Sequence, residues 1–483
     1  MSRWSRHERA FSRRCRYIFG SLALLAMCSC STVRVPDLST PVPPHWRNQP
    51  AGIAAAQPDL HGWWHAFGDP TLDALVTRSL HANLDVAQAV ERLRAQRALY
   101  AKADAPFLPS LHLRTDDPVD PDAAASYFTV GFDAQWELGL FGRREAANRN
   151  AQASLDAATA NLRQAQVSLV AEVVRNWIDL RSAQNTVKVL QGIHQAQQRK
   201  LEWIQVRTRL KLAPPSDLAQ ARAAVARSDA EFSLPRQQVT AAAQRLAVLL
   251  GQSEPDPAWL RPGKMPQLGE HAIKATPADL LRTRPEIAQA EAHVLQAAAD
   301  LGIARAEMYP NIGIGGSLIW STSTLTHKQS EFNAIGSVGP VIDIPLFDWG
   351  LRQARAHARS HELKASVLAY RKAVLEGVAE VETALGNLAQ QRKREQANVA
   401  SVEALGSVAK QQTERQKLGL DSKLESEKSV LAHDQAQLEL MHARAARDIA
   451  YVALYKALGG APEAAPESSR SHGHADDKHE AAH

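Results

Sequence analysis

Apolar residues recur in steps of three and four over two very long segments of the chain. The first segment runs from Glu145 to about Leu212 without a proline, and the second runs from about Leu351 to Leu418. This periodicity predicts amphipathic helices, and at 1.5 Å per residue each helix reaches on the order of 100 Å. Helices of that length exceed a globular domain and require coiled-coil packing. The apolar positions are Leu155, Ala158, Leu162, Ala165, Leu169, Val173, Trp177 and Leu180 in the first segment, and Leu363, Val367, Tyr370, Val374, Val378, Val381, Leu385 and Leu388 in the second.

A break follows each long helix. It is Ala213-Pro214-Pro215-Ser216 in the first segment and Gly419-Leu420-Asp421-Ser422 in the second. A shorter apolar-periodic stretch comes after each break, which predicts one return helix per segment. The pattern therefore predicts two antiparallel helical hairpins.

Between the helical segments the apolar pattern changes to a period of two, which predicts β-strands with one apolar face and one polar face. The alternation predicts that Phe128, Val130, Phe132 and Trp136 face lipid. Strands of about ten residues match a tilted membrane-spanning strand, although a half-buried soluble sheet has the same pattern. The apolar positions, including those of the partner strands, are Leu111, Leu113, Phe128, Val130, Phe132, Ala134 and Trp136, then Ile312, Ile314, Leu318, Trp320, Ala334, Gly336, Val338, Pro340 and Ile342.

Closure of the sheet favours the membrane interpretation and requires several copies of the chain. A lipid-exposed sheet can have no open edges, and four strands cannot close around a lumen. We therefore expect copies to combine into one barrel.

The second half of the chain repeats the first at an offset of roughly 200 residues. Asn83-Leu84-Asp85-Val86-Ala87-Gln88-Ala89 returns as Arg284-Pro285-Glu286-Ile287-Ala288-Gln289-Ala290, and Phe107-Leu108-Pro109 returns as Met308-Tyr309-Pro310. This period is too long for a solenoid repeat and indicates a duplicated half-protein. The predicted organisation is a signal peptide at 1–29, an extended tether at 30–68, a first repeat at 69–265, a second repeat at 266–460 and a disordered tail at 461–483.

The N-terminus predicts export and a lipid anchor. Arginines precede an apolar run from Tyr17 to Met27, which is typical of a secretory signal and is too short to span a bilayer. Cys28 and Cys30 follow at once, as in a bacterial lipoprotein signal. We favour Cys30 as the lipidated residue because the small Ser29 precedes it, with Cys28 as the alternative. An ordinary signal with incidental cysteines is the other alternative.

The net charge of +5 belongs to the signal, since residues 1–29 contain six arginines and one acid, Glu8. The rest of the chain is therefore near neutral. A nucleic-acid partner loses its main support, and we expect none.

No arrangement of residues indicates an enzyme, a metal site or a cofactor other than the covalent lipid. Gly313-Ile314-Gly315-Gly316 lies in a predicted strand, so it is no phosphate-binding loop. The histidines of the tail favour a solvated disordered segment, although they give some weight to a metal-efflux role; they are His472, His474, His479 and His483.

Together these features resemble the TolC-like outer-membrane factors, specifically the lipoproteins of NodT or OprM type. The resemblance covers the lipoprotein start, the Trp63-Trp64 segment, the strand starts at Pro109 and Pro310, the segment 346–350 and both hairpins. It implies a mixed α and β membrane protein, a homotrimer whose barrel has twelve strands, four from each chain, continuous with a periplasmic helical tunnel. It also implies outer-membrane localisation and passive conduction of drugs or other small solutes. The implied partners are a periplasmic adaptor, a resistance-nodulation-division pump of the inner membrane and outer-membrane lipid.

The same resemblance implies a gate at the periplasmic tip of the second hairpin. It places Leu424 at a hydrophobic position and Glu425 at an acidic one, both facing the threefold axis. The next acidic position is Lys428, which departs from the family pattern, with Glu427 as a possible substitute. Lys423 or Lys428 of a neighbouring chain is expected to neutralise Glu425. The alternative is that these charged residues form a solvated helix face.

Two other functions stay open. The same channel could serve a heavy-metal exporter or a type I protein secretion system. A periplasmic coiled-coil adaptor is more remote, because it would have one hairpin interrupting β-rich domains.

Overall fold

The structure is a computed structural model that describes residues 33–48, 60–116, 127–269, 280–323 and 333–460. Two short 3₁₀ turns, Trp63–Phe67 and Ala105–Phe107, accompany the regular elements. In chain order these elements are α1 (Pro70–Ala82), α2 (Leu84–Tyr100), β1 (Ser110–Asp116), β2 (Tyr127–Glu137), α3 (Arg143–Arg209), α4 (Pro215–Ala230), α5 (Ser233–Leu249), α6 (Leu280–Thr283), α7 (Pro285–Ala306), β3 (Asn311–Ser323), β4 (Asn333–Asp343), α8 (Leu351–Lys417) and α9 (Lys423–Ala457).

The two predicted long helices are confirmed as α3 and α8, each of 67 residues. Both start after a glycine in the left-handed region, Gly142 with φ 81° and Gly350 with φ 78°. The residues before these glycines, Phe141 and Trp349, share a φ of 56°. Such φ values are strained for bulky side chains. Because they recur at equivalent positions of the two repeats, the same tight turn from strand to helix is built twice.

The predicted return helix of the first hairpin is wrong in one respect, because it is split into α4 and α5. Pro235 lies in the first turn of α5, where its ring would collide with the carbonyl of Glu231 if the helix were continuous. The equivalent position of the second hairpin is Ala443, which is fully buried, and there α9 runs unbroken.

The four strands form one antiparallel sheet in the order β1-β2-β3-β4. Within the β1-β2 hairpin Ser110 lies opposite Gln135, and within the β3-β4 hairpin Asn311 lies opposite Asp343. The two β-hairpins are joined through the pairing of β2 with β3. Among the described residues, no helix combines the length and the apolar character needed to cross a membrane.

The Trp63–Phe67 segment packs on the last helix and also contacts α1, which follows it directly. The Trp63 ring stacks on Tyr455 with centroids 5.4 Å apart and lies 6.2 Å from Tyr451. Its indole Nε1 donates to the carbonyl of Gly460 at 3.3 Å. Phe67 meets Tyr451 edge to face. The segment therefore joins the start of the described chain to the end of the second repeat.

The sequence repeat is also a structural repeat. Gly251 lies against the carbonyl oxygen of Ala82, and Gly459 lies in the same way against that of Thr283. Asn83 donates to the carbonyl of Leu249 at 3.0 Å, and Arg284 donates to that of Ala457 at 2.9 Å. Each first-repeat residue therefore has an equivalent, 201 positions later in α2 and β1 (Pro109 to Pro310) and 208 positions later from β2 onward (Gly142 to Gly350).

Candidate functional site

On β1 and β2 the sheet has one apolar face, as the alternation predicted, whereas β3 and β4 also carry the apolar residues Ile319, Ile335 and Val341 on the opposite face. Residues directly opposite each other on neighbouring strands lie on the same face. Val130 is opposite Trp320 and Thr115, and Phe132 is opposite Leu113 and Leu318. The indole Nε1 of Trp136 donates to the carbonyl of Phe107 at 3.0 Å. The backbone of Phe128 lies in β2 opposite Thr322.

Much of this apolar face is exposed to solvent in the single chain. Large apolar side chains on β1, β2, β3 and β4 are exposed to solvent, and a soluble monomer rarely exposes a contiguous apolar patch of this kind. The exposed members are Leu111, Leu113, Phe132, Trp136, Ile314, Leu318, Val338 and Ile342.

The opposite face of the sheet is polar on β1 and β2. His112 lies opposite Asp133, and the guanidinium of Arg114 is 3.7 Å from the carboxylate of Asp133. Gln135 and Glu137 continue this face toward the helices. An apolar face backed by a polar one is the arrangement of a membrane barrel that encloses water.

The far ends of the hairpins form the second region of interest. In the second hairpin, Arg415 binds the carboxylate of Asp421 at 3.0 Å across the turn. The hydroxyl of Ser422 accepts a hydrogen bond from the backbone N–H of Glu425 at 3.1 Å, which caps α9. The tip is thus a tightly closed turn with the predicted gate residues in the first turns of α9.

The structure separates the predicted gate residues into two environments. Leu424 is half-buried, and Glu425 is exposed with its carboxylate 3.0 Å from Nζ of Lys428 in the same helix. Lys428 of the same chain therefore forms an ion pair with Glu425, and the contact predicted with a lysine of a neighbouring chain stays a prediction. Glu427 is buried and accepts hydrogen bonds from Arg199 on α3 at 2.6 and 3.0 Å. Glu425 and Glu427 therefore do not share a surface.

Arg199 is a residue that sequence reasoning missed. It lies near the end of α3 among several other charged residues, 228 positions before Glu427, and no local motif marks it. Only the packing of α3 against α9 brings the two together.

A second buried charge cluster lies between α8 and α9, and it was also missed. Arg447 donates two hydrogen bonds to Glu395 at 2.7 and 2.8 Å, and two to one oxygen of Asp448. The other oxygen of Asp448 has no hydrogen-bond partner and the residue is fully buried. Burial raises the pKa of Asp448 to about 6, although Arg447 opposes the shift.

Some of the residues named from the sequence lie beyond the part of the chain that the structure describes. Cys28 and Cys30 lie outside the described residues, and so do the tail histidines. Within the described part of the chain, no group of three or more His, Cys, Asp or Glu residues could hold a metal ion.

Comparisons with known proteins agree with this geometry. A family model described as outer membrane efflux protein matches residues 75–252 and 276–460, one stretch in each half of the chain. The pyoverdine export outer membrane protein OpmQ of Pseudomonas aeruginosa is 30% identical over 476 residues, covering 91% of this chain and 96% of its own length. Nodulation protein T of Rhizobium leguminosarum biovar viciae is 28% identical over 398 residues, covering 81% of this chain and 82% of its own.

Solved structures show the same fold. The outer-membrane channel OprN has a TM-score of 0.75 at 28% identity, covering 89% of this chain and 99% of its own. The open MtrE outer membrane channel of Neisseria gonorrhoeae has a TM-score of 0.75 at 23% identity, covering 89% and 98%. The predicted fold class, a share of an outer-membrane barrel continuous with a long helical tunnel, is confirmed.

Proposed function

Since this chain belongs to the outer membrane efflux protein family, we propose that three copies of it assemble into the exit duct of a tripartite efflux system. The chain is an outer-membrane channel protein of efflux pumps. The homotrimer, a periplasmic adaptor and an inner-membrane pump of the resistance-nodulation-division type are the partners that we propose for it. The duct itself is passive, and we propose no catalytic step and no cofactor other than the covalent lipid.

One observation supports the proposal most: a sheet with an apolar face continues directly into two helical hairpins. The strands end at Glu137 and Asp343, and α3 and α8 begin a few residues later. At 1.5 Å per residue, 67 residues extend on the order of 100 Å from the membrane. A single chain thus contributes both to a membrane pore and to a tunnel of periplasmic length.

The cargo that we propose is a small organic solute. The relatives include a pyoverdine export protein, a toluene efflux pump protein and a solvent efflux pump protein, so the family serves different small molecules. In such a system the pump selects the cargo. Service to a metal exporter or to type I protein secretion remains the alternative, and no specific observation in the described residues favours it.

For the closed state, we propose that Leu424 and Glu425 narrow the tunnel at the tip of the second hairpin. This proposal is supported by the position of both residues, which lie in the first helical turn of α9, directly after the loop that joins α8 to α9. Lys428 joins them as the partner of Glu425. Glu427 instead stabilises the closed packing of α9 on α3 through Arg199.

For the anchor, we propose that Cys30 carries the lipid after the signal is removed. The supporting pattern is the arginine-rich start, the short apolar run and the small residue before Cys30. Because the barrel also inserts into the membrane, the lipid contributes to targeting more than to conduction.

The test of the function is conduction by the purified protein. The full chain, extracted from outer membranes and placed in planar lipid bilayers, should form discrete channels as a trimer. A bacterium that lacks the gene should become more sensitive to small toxic solutes and regain resistance with the wild-type gene. A monomer that fractionates with soluble proteins and forms no channels would refute the proposal.

A further inference from the structure

The contact between the two repeats of one chain predicts the contact between two chains. Within the chain, the first repeat meets the second through β2 and β3, and through α3 packed on α7. The equivalents of β2 and α3 are β4 and α8, which lie at the other side of the second repeat. The equivalents of β3 and α7 are β1 and α2. In a ring of copies, β4 and α8 of one chain face β1 and α2 of the next.

The register of the inner seam is fully defined. Gln135 lies opposite Gly315, and the backbone N–H of Leu138 donates to the carbonyl of Ile312 at 3.1 Å. The two hairpins also share one register, because Ser110 opposite Gln135 has Asn311 opposite Asp343 as its equivalent pair. The strand positions can therefore be transferred from one repeat to the other without a shift.

We propose that β4 of one chain pairs with β1 of a second copy in this same register, with Asp343 opposite Arg114. Asp343 is the equivalent of Gln135, and Arg114 is the equivalent of Gly315. The backbone N–H of Leu346 then donates to the carbonyl of Leu111 of the second copy, as Leu138 does to Ile312 within the chain. This inference rests on the proposed function for the existence of a ring and adds the residues that meet across each junction.

Charge supports this register independently. Asp343 and Arg114 both lie on the face of the sheet that is polar on β1 and β2, and both are exposed in the single chain, where the Arg114 guanidinium is 3.7 Å from the carboxylate of Asp133. They would be directly opposite in a pair without mutual backbone hydrogen bonds, the type in which side chains come closest. The equivalent inner pair is Gln135 and Gly315, so the opposite charges are specific to the junction between chains. A slip of two residues would leave Arg114 opposite Val341 or Pro345.

The helices support the same docking. The Cα of Gly302 on α7 lies so close to Ala146 on α3 that a Cβ there would be 3.0 Å from the Cβ of Ala146. The equivalents of this pair are Ala101 and Ala354, both small and both exposed in the single chain. Small residues are what a close helix approach requires.

A polar contact of the inner seam is replaced by an apolar one at the outer seam. Asn150 on α3 donates to Asp300 on α7 at 2.6 Å. The equivalents are Ala358 on α8 and Leu99 on α2, and Leu99 is 64% exposed in the single chain. Both members of the pair have changed from polar to apolar together, which fits a contact that they share in the assembly.

The face of α8 that this docking covers is apolar. Val167 of α3 is 1% exposed, whereas its equivalent Leu375 of α8 is 58% exposed. Ala160 is likewise buried, and its equivalent Leu368 is exposed. In the proposed assembly, α2 of a second copy packs on this face of α8. It does so because α2 is the equivalent of α7, which packs on α3 within the chain.

Cysteine pairs test the register in the full chain within outer membranes. Arg114→Cys with Asp343→Cys should give covalent dimers and trimers on mild oxidation, and reduction should return them to monomers. The matched control is Arg114→Cys with Val341→Cys, which lies on the same face two residues out of register and should give little cross-linking. Each single variant and the parent chain with its own cysteines supply the background.

A second pair covers the possibility that the first disturbs assembly. Leu111→Cys with Leu346→Cys should cross-link, and Leu113→Cys with Leu346→Cys should not. Preferential cross-linking of either slipped pair would overturn the register. If no pair cross-links while the same variants still form conducting trimers, the proposed junction is wrong and the channel function stands. If the parent chain itself forms no trimers and no conducting channels, the proposed function is refuted instead.

Discussion

Arg199 on α3 donates two hydrogen bonds to a single carboxylate oxygen of Glu427 on α9, from Nε at 3.0 Å and from Nη2 at 2.6 Å. The glutamate side chain is only 10% exposed and the arginine side chain 47%. This charge pair joins the outgoing helix of the first hairpin to the return helix of the second, close to the tip. It holds the two hairpins together at the end where we propose that the tunnel closes.

Glu427→Gln is expected to loosen this contact. The neutral amide keeps the shape of the side chain but leaves Arg199 without its charge partner, which costs about 1 to 3 kcal/mol for a largely buried hydrogen bond to a charged group. We expect a higher single-channel conductance or more frequent opening in planar bilayers. Glu414→Gln, which removes only an exposed contact to Lys417 within α8, is the matched control. Equal behaviour of the two variants would contradict a role of Arg199 and Glu427 in closure.

The buried Asp448 predicts a pH effect on stability. Burial raises its pKa from 3.8 to about 6, so the folded protein binds a proton that the unfolded chain releases over that range. The stability that the protonated form contributes is present below the unfolded pKa and is lost as pH rises through about 6. The facing charged groups are Arg447, Glu395 and Arg444.

Asp448→Asn should therefore match the wild type in thermal stability near pH 4 and exceed it near pH 7, by up to about 3 kcal/mol. The asparagine oxygen can still accept from Arg447, so the gain comes from removing a buried charge. Thermal unfolding of the purified protein at the two pH values measures the difference. Asp229→Asn, at an exposed position of α4, should show no such change with pH. A variant that is less stable at both pH values would contradict the explanation.

Local patterns were enough to predict the elements, but the contacts between them were not predictable. The long helices follow from their uninterrupted apolar periodicity, and the strands follow from the alternation around Val130. Pro235 was visible in the sequence, and its effect on the first return helix was missed. The partner of Glu427 lies 228 positions away, so only the packing of two helices could identify it.

The orientation of the sheet predicts the response to a charge on its apolar face. Val130→Arg should destabilise the barrel by about 2 to 4 kcal/mol if the position lies near the membrane midplane, because a cation would face hydrocarbon. Gln135→Arg is the control on the polar face of the same strand. The resistance of the trimer to heat in detergent, measured by gel electrophoresis, should fall for Val130→Arg only. Equal tolerance of both changes would contradict the assigned faces.

The lipid anchor gives a prediction from sequence alone. Cys30→Ser should abolish incorporation of labelled fatty acid, while Cys28→Ser should leave it intact. We expect the unlabelled protein still to form channels, since the strands themselves insert. Labelling that persists in Cys30→Ser would transfer the assignment to Cys28 if Cys28→Ser then abolishes it, and would end the lipoprotein assignment if neither change does.

The proposed constriction is tested by Leu424→Ala combined with Glu425→Ala. Three Glu425 carboxylates at about 6 Å would repel by roughly 3 kcal/mol per pair at an effective dielectric constant of 20, which a closed tip must offset. The ammonium of Lys428, 3.0 Å from Glu425 in the same chain, supplies that offset, so each chain can bring a nearly neutral pair to the axis.

Removing the leucine side chain then widens the constriction, and removing the carboxylate breaks the pair. We expect higher single-channel conductance and entry of vancomycin into cells. Leu420→Ala, at an exposed position of the hairpin turn, is the control. Wild-type conductance in a correctly assembled double variant would show that the narrowest point lies elsewhere.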